Sequence, residues 1–218
     1  MGSQDFIKKF ISSRIIESNR VSCLVMAIDD ARKATGRNLE TGKHNGKIYM
    51  DGNDFINPYS FIGLINYLLI LDLIGCVFKT KDIADNKPPI YNALKQFTEI
   101  KDDKSIFTII ALRNCLAHNY GLINVPDKDK HDDNSLHRFT IDNSEDADLI
   151  NFPIKQPTRN QIYSQKSDEY QTQVCYIKLI DLIETTYCNL KSKFEKGEVE
   201  LNLKNGIDEL KARFTITN

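Results

Sequence analysis

The chain has 218 residues, of which 41% are hydrophobic and 27% charged, so it can build a core without disulfides or metals. Its 29 basic and 30 acidic residues give a formal net charge of −1. This balance disfavours a general nucleic-acid coat protein, but it is compatible with a small local site that binds phosphate. The five cysteines are odd in number and form no Cys-x-x-Cys pair, which argues against a disulfide framework and a zinc site and predicts a cytoplasmic location.

The N-terminal quarter of the chain divides into a helical part and a polar part. Apolar residues at helical spacing predict one long helix over residues 4–34, or two helices with a break near residues 18–19. Residues 35–57 are rich in glycine, asparagine and lysine, so they predict a loop, with a short hairpin around residues 47–49 as an option.

Residues 59–78 are apolar almost all round and have the length that a membrane span requires. Asp72 lies inside this segment, and a carboxylate near the middle of a bilayer costs about 2.5–3.5 kcal/mol on insertion scales. We therefore expect a buried central helix of a bundle rather than a membrane span.

The middle of the chain predicts two further helices, over residues 90–98 and 104–119. Asp102 and Asp103 are suited to cap the start of the second, and Gly121 suits the left-handed position just after its end. This second helix carries the strongest functional signal of the chain.

The C-terminal part changes character twice. Residues 124–166 are polar and rich in aspartate, with β-like pieces at 137–141 and 149–152 that predict a small hairpin insertion. A long last helix is predicted from residue 167 or 168 to 196, followed by a strand over 199–203 and a short helix over 207–214. The predicted fold is mainly all-α, an antiparallel bundle of four or five long helices in a single domain over residues 1–218.

The functional signal is an arginine and a histidine near the end of helix 104–119. At about 100° per residue, Arg113 falls within the apolar arc of this helix, so it needs a charged partner or a wet cleft. Asp72 is the candidate carboxylate, since it is equally unusual in its own apolar helix. In the ordinary structural alternative, Arg113 satisfies a carboxylate, His118 caps the last carbonyl groups and Tyr120 packs in the core.

The pattern Arg113-x4-His118-x-Tyr120, with Asn114 as a polar residue after the arginine, resembles the signature of the HEPN superfamily (higher eukaryote and prokaryote nucleotide-binding domains). The resemblance covers the predicted helical bundle, but it explains neither the 35–57 loop nor the 124–166 insertion. The tyrosine resembles that of HEPN toxins in bacterial toxin–antitoxin pairs.

The resemblance implies a metal-independent endoribonuclease without a cofactor, in which a ribose 2′-hydroxyl attacks the adjacent phosphate and leaves a cyclic phosphate. Arg113 would stabilise the developing charge, His118 would transfer protons, Asn114 would hold the phosphate or His118, and Tyr120 would position RNA. It also implies a homodimer that serves as a toxin or phage-defence effector, with a nucleotidyltransferase antitoxin that modifies the tyrosine.

Two other readings of the same residues remain open. The first is a non-catalytic HEPN-like module that binds RNA, a nucleotide or a protein, and the second is an unrelated helical interaction protein. No metal site is predicted, because His131 and His137 lack a metal-ligand spacing and are expected in a solvated loop.

Overall fold

The computed structural model describes residues 2–44, 50–51, 54–55, 60–80, 87–125, 136–144, 146–159, 161–163 and 168–217. The chain divides into two compact units. The first unit comprises residues 1–99 and 182–218, and the second comprises residues 100–181. The second unit is thus inserted in the sequence between two parts of the first.

The described residues contain helices and short strands. The α-helices are α1 (Ser3–Ser12), α2 (Cys23–Ala34), α3 (Phe61–Val77), α4 (Pro89–Phe97), α5 (Asp103–Asn119), α6 (Tyr176–Glu195) and α7 (Gly206–Phe214). The strands are β1 (Ile15–Glu17), β2 (Arg20–Ser22), β3 (Met50–Asp51), β4 (Asp54–Phe55), β5 (Phe78–Thr80), β6 (Ile123–Asn124), β7 (His137–Asp142), β8 (Ile150–Asn151), β9 (Thr172–Cys175), β10 (Val199–Leu201) and β11 (Thr215–Thr217).

Helix α3 forms the centre of the first unit, between α2 and α4. Its start is capped by the Ser60 hydroxyl, which accepts a hydrogen bond from the Gly63 N–H at 3.1 Å. Gly75 lets α3 and α4 approach closely, because a Cβ at this position would collide with the Pro89 carbonyl group. The predicted helix is confirmed and most of its residues are buried, although Phe61, Ile62 and Leu69 are exposed. Among the described residues no helix is both long and apolar enough to cross a membrane.

Three small sheets complete the first unit. β2 lies between β1 and β11 in an antiparallel sheet, which pairs Val21 with Ile15 on one side and with Ile216 on the other. β5 pairs with β10, and β3 pairs with β4, both antiparallel. Two of these sheets therefore join the C-terminal segment to the N-terminal half of the chain.

The second unit packs α5 beside a four-stranded sheet in the order β6-β7-β9-β8. β7 and β9 run parallel, whereas β6 pairs with β7 and β8 with β9 in antiparallel fashion. The predicted hairpin of 137–141 with 149–152 is wrong, because β9 separates the two strands. β9 belongs to the segment predicted as the start of the last helix, so α6 begins at Tyr176 and not near residue 168.

The prediction of a mainly all-α bundle is wrong. The described residues are 54% helical and 17% strand, and they form a mixed α/β fold. The β pieces predicted at 137–141 and 149–152 and the strand predicted at 199–203 are confirmed as β7, β8 and β10. The strands are only two to six residues long and mostly pair with distant segments, so local periodicity did not indicate the others. One domain over residues 1–218 stays a prediction.

Other local predictions fared differently. Residues 18–19 form the turn between β1 and β2, so the predicted break in the first helix is confirmed, although the strands around it were not predicted. The helices predicted at 90–98, 104–119 and 207–214 are confirmed within one or two residues. The optional hairpin around residues 47–49 lies outside the described residues.

Candidate functional site

Helix α5 has a well-defined start that sets the position of every motif residue. The Asp102 carboxylate accepts hydrogen bonds from the N–H groups of Lys104 and Ser105 at 3.1 and 2.9 Å, and also from the Ser105 hydroxyl. The side-chain bond from Ser105, aided by the two backbone bonds, lowers the pKa of Asp102. An ionised carboxylate suits a helix N-terminus, so the predicted cap at Asp102 is confirmed.

The buried arc of α5 follows the predicted spacing. Ile106, Ile109, Leu112 and Leu116 are each no more than 1% exposed. Arg113 lies at the margin of this arc and is half-buried. The helix is therefore anchored by its apolar side up to the turn that carries the motif.

The end of α5 differs from the prediction in one respect. Tyr120, and not Gly121, adopts the left-handed conformation, with φ 51° and ψ 34°. Its N–H donates to the Leu116 carbonyl at 3.1 Å, and the Gly121 N–H donates to the Cys115 carbonyl at 3.2 Å. A left-handed backbone costs a tyrosine about 1 kcal/mol relative to the usual helical region.

The Tyr120 ring leaves the core at this turn. It is 63% exposed, so the alternative that Tyr120 packs in the core is wrong. The helical periodicity fails here because the chain leaves α5 after Asn119. A large aromatic ring is thus held on the surface, one residue past the helix.

His118 lies in the last turn of α5 and is exposed. Its side chain forms no hydrogen bond with any residue in the described part of the chain. The Cys115 and Leu116 carbonyls are bonded by backbone N–H groups instead. The structural alternative in which His118 caps these carbonyls therefore has no support among the described residues.

Arg113 and Asn114 contact each other directly. Arg113 Nη1 donates a hydrogen bond of 3.0 Å to Asn114 Oδ1, and both side chains are half-buried. A guanidinium has only donors, so the amide atom that faces it must be the oxygen. Asn114 thus orients Arg113, while its amide N–H groups point elsewhere.

The predicted partner of Arg113 lies in the first unit. Asp72 is half-buried in α3, whereas Arg113 belongs to the second unit. The pairing of Asp72 with Arg113 stays a prediction.

Cys115 lies inside the motif, next to two residues with proposed chemistry, but it is not a nucleophile. Its side chain is 2% exposed, and its Sγ contacts the Leu112 carbonyl oxygen at 3.2 Å. Burial raises the pKa of the Cys115 thiol to about 11, so it stays protonated at neutral pH. The chemistry available at the end of α5 is therefore that of Arg113, Asn114, His118 and Tyr120.

A second group of charged residues, in the first unit, was not predicted. Arg32 and Glu184 are 5% and 6% exposed and form a two-pronged ion pair, with N···O distances of 2.9 and 2.7 Å. The fully buried Tyr67 hydroxyl donates to Glu184 Oε1 at 2.7 Å. Burial, followed by the nearby Glu184 charge, raises the pKa of Tyr67, so its hydroxyl stays protonated.

This Arg32–Glu184–Tyr67 cluster also holds the chain that follows α2. Arg32 Nη1 donates to the Leu39 carbonyl at 2.6 Å, and Arg37 Nη1 donates to the Gly42 carbonyl at 2.8 Å. Gly42 has φ +69° and lies so close to Glu184 that a Cβ would collide with the carboxylate. The cluster therefore acts as a structural tie. The sequence could have indicated this cluster through Glu184. This charged residue follows the apolar Ile180 by four positions, so it lies on the same face of α6.

His137 is also buried, contrary to the expected solvated loop. It is 3% exposed in β7, and its Nδ1 lies 2.9 Å from the Thr172 Oγ1 of β9. Burial, and secondarily the charge of Lys104, lowers the pKa of His137 to about 4. His131 lies outside the described residues. No group of three or more His, Cys, Asp or Glu side chains in the described ranges is arranged to hold a metal.

Comparison of the chain with protein-family models, with curated proteins and with solved structures finds no match. The resemblance to HEPN proteins therefore rests on the motif residues of α5.

Proposed function

We propose that this protein is a metal-independent endoribonuclease of the HEPN type that acts as a homodimer in the cytoplasm. One observation carries the proposal. His118 is exposed in the last turn of α5, while the N–H groups of Tyr120 and Gly121 serve the carbonyls that a structural histidine would bind. A histidine that the helix end does not need is available for proton transfer.

The proposed reaction needs two proton transfers. One histidine takes the proton of a ribose 2′-hydroxyl, and the 2′-oxygen attacks the adjacent phosphorus. The bond between phosphorus and the 5′-oxygen of the next nucleotide breaks, and that oxygen takes up a proton. The products are a 2′,3′-cyclic phosphate and a 5′-hydroxyl. We assign the two transfers to His118 of two copies that face one phosphate.

Arg113 and Asn114 supply the electrostatic part of the proposal. The guanidinium offers a fixed positive charge to the phosphorane, whose charge is greatest in the transition state. The bond to Asn114 restricts the rotation of Arg113, so less conformational entropy is lost when a phosphate binds. The amide N–H groups of Asn114 add donors for a phosphate oxygen.

Tyr120 has two roles in the proposal: its ring contacts a nucleobase, and modification of its hydroxyl regulates the activity. Unpaired RNA bases stack on exposed aromatic rings, which contributes about 1–3 kcal/mol per base. The HEPN resemblance makes the hydroxyl of Tyr120 the group that a nucleotidyltransferase antitoxin would modify. A phosphoryl group attached there would repel the RNA backbone, as expected for a toxin or phage-defence effector.

The second candidate is a non-catalytic HEPN-like module that binds RNA, a nucleotide or a protein. The net charge of −1 favours the nucleotide- or protein-binding form of this module, because strong RNA binding normally draws on a basic surface. In this reading, the bond between Arg113 and Asn114 only stabilises the end of α5. Both candidates use the same residues, and they differ in whether His118 moves a proton.

The decisive experiment incubates the purified protein with a labelled mixed-sequence RNA in EDTA, beside a DNA of the same sequence. We expect cleavage of the RNA alone, with cyclic-phosphate ends, and a loss of at least about 100-fold in rate for His118→Ala. The matched control is His44→Ala, which removes a histidine of the first unit and should leave the rate unchanged.

Three outcomes would contradict the nuclease proposal. Cleavage that survives His118→Ala, or that requires an added metal, would reject the mechanism. Binding of RNA without cleavage, weakened by Arg113→Ala, would establish the non-catalytic module instead.

A further inference from the structure

Helix α3 keeps one apolar stripe that the first unit does not cover. Ile62 and Leu69 are 60% and 41% exposed, and Asn66 and Leu73 are half-buried. These four positions follow each other at intervals of four, three and four residues. This is the heptad spacing with which helices pack against each other along a seam.

Three positions of the stripe, Asn66, Leu69 and Leu73, line one wall of a groove between α3 and α2. Cys23, Met26 and Ala27 of α2 form the opposite wall, at positions that share one side of that helix. Ile216 of β11 also lines the groove, which encloses about 300 Å³. Apart from Asn66 on one wall and Asp30 on the other, the groove is lined by apolar residues and cysteine, and it has room for side chains from a partner.

The apolar surface continues from the groove onto the sheet. Ile15, Val21 and Ile216 are direct neighbours on three adjacent strands, so their side chains point to the same side of the sheet. Ile15 is 64% and Ile216 is 45% exposed. We call the groove, the α3 stripe and this row of three residues the α2–α3 face. Continuous exposed apolar surfaces of this kind mark interaction sites.

The charges of the α2–α3 face limit the partner. Among the described residues that line the groove, none is basic and Asp30 is the one acid; its Oδ1 lies 4.0 Å from Lys33 Nζ. A nucleic acid would require lysines or arginines for its phosphates, so it does not fit. The complementary surface must itself be apolar and nearly uncharged, and this face has that composition.

We propose that the α2–α3 face is the homodimer interface and that its occupant is a second copy of the same face. A two-fold interface must complement itself, and a heptad stripe does so when α3 packs against α3 of the second copy. Asn66 lies in the middle of the stripe. Its amide carries both donors and an acceptor, so it can pair with the same residue of the second copy near the two-fold axis.

The inference rests on the homodimer of the proposed function, but its evidence is separate from that for RNA cleavage. Every residue that carries it belongs to the first unit, and none belongs to the α5 motif. A failure of the nuclease assay would leave the interface in place. A monomeric protein whose cleavage of RNA still depends on His118 would reject the interface and the pairing of two histidines, but not the role of His118 itself.

The experiment measures the mass of the intact protein by light scattering and its dissociation constant by analytical ultracentrifugation. We expect a dimer of about twice 25.0 kDa. Leu69→Glu and Ile62→Glu should each raise the dissociation constant by about 100-fold, because each places a charge in an apolar seam. Ile62 is the safer position for folding, since its side chain is already mostly exposed.

The matched control is Ile154→Glu, which introduces the same charge at an isoleucine that is 83% exposed in the second unit. It should remain dimeric, and circular dichroism should show that all three variants are folded. A monomeric wild-type protein at tens of micromolar would overturn the proposal and leave the face to a foreign partner. A dimer that both α3 variants leave intact would also overturn it.

Discussion

Two arginines of this chain stand on apolar helices, and the structure treats them differently. Arg32 in α2 is 5% exposed, and its guanidinium is bonded to Glu184 and to the Leu39 carbonyl. Arg113 in α5 is half-buried beside Asn114, one turn from the exposed His118. Arg32 stabilises the fold through its buried ion pair, whereas Arg113 lies near an exposed histidine that can transfer protons. Charge on an apolar face is therefore an incomplete signal of function, and neighbouring exposed groups must be considered as well.

The largest effect that would sharpen this comparison is expected for Arg32→Ala. The substitution leaves the Glu184 carboxylate buried without its cation, so we expect a loss of about 3–5 kcal/mol in the free energy of unfolding. Urea denaturation measures this loss. The control is Lys33→Ala, which removes an exposed pair with Asp30 and should cost less than about 1 kcal/mol. A cost below about 1 kcal/mol for Arg32→Ala would show that the cluster is not a structural tie.

The next effect concerns pH and compares His137 with His118, the two histidines of the second unit that the structure describes. Burial lowers the pKa of His137 to about 4 in the folded protein. In the unfolded chain the same imidazole binds its proton near pH 6.5, so between pH 6.5 and 4 it is protonated only in the unfolded chain. Stability should therefore fall between pH 6.5 and 4, by about 3 kcal/mol, with no further change from this residue at lower pH.

Urea denaturation at a series of pH values measures the His137 contribution. His137→Phe should remove it, and His118→Ala, which changes an exposed histidine, should retain the wild-type dependence on pH. An unchanged pH profile in His137→Phe would contradict the assigned burial effect.

The smallest effect on stability is expected for Arg113→Ala. The Arg113 side chain is half-buried, and losing its hydrogen bond to Asn114 should cost about 1 kcal/mol in the free energy of unfolding, together with a strong loss of RNA cleavage. Thermal melting and the RNA assay measure the two effects. A sharp fall in melting temperature for both Arg113→Ala and Asp72→Asn would instead give Arg113 the same architectural role as Arg32.

The helices could be predicted where their signal is local. Asp102, Ser105 and the apolar residues of α5 lie within a few residues of each other, and the start of this helix was placed correctly. The strands depend on partners far along the chain. β2 pairs with β11 and β5 with β10, and no local pattern records such pairings.

The same limit applies to the candidate site. The position of the motif at the end of α5 followed from periodicity, but the left-handed residue did not. Gly121 was the natural choice by conformational freedom, whereas the hydrogen bonds of the final turn place Tyr120 there. The Arg32–Glu184 pair was missed because its partners lie 152 residues apart.

The division of the sequence also sets an order of events during translation. Residues 100–181 leave the ribosome before the last segment of the first unit is made. That segment includes Ile216 and the Thr215 hydroxyl that binds Arg20 across 195 residues. A nascent chain can thus fold α5 while its α2–α3 face is still incomplete. Two copies can therefore pair through the proposed interface only after the segment that carries Ile216 has been made.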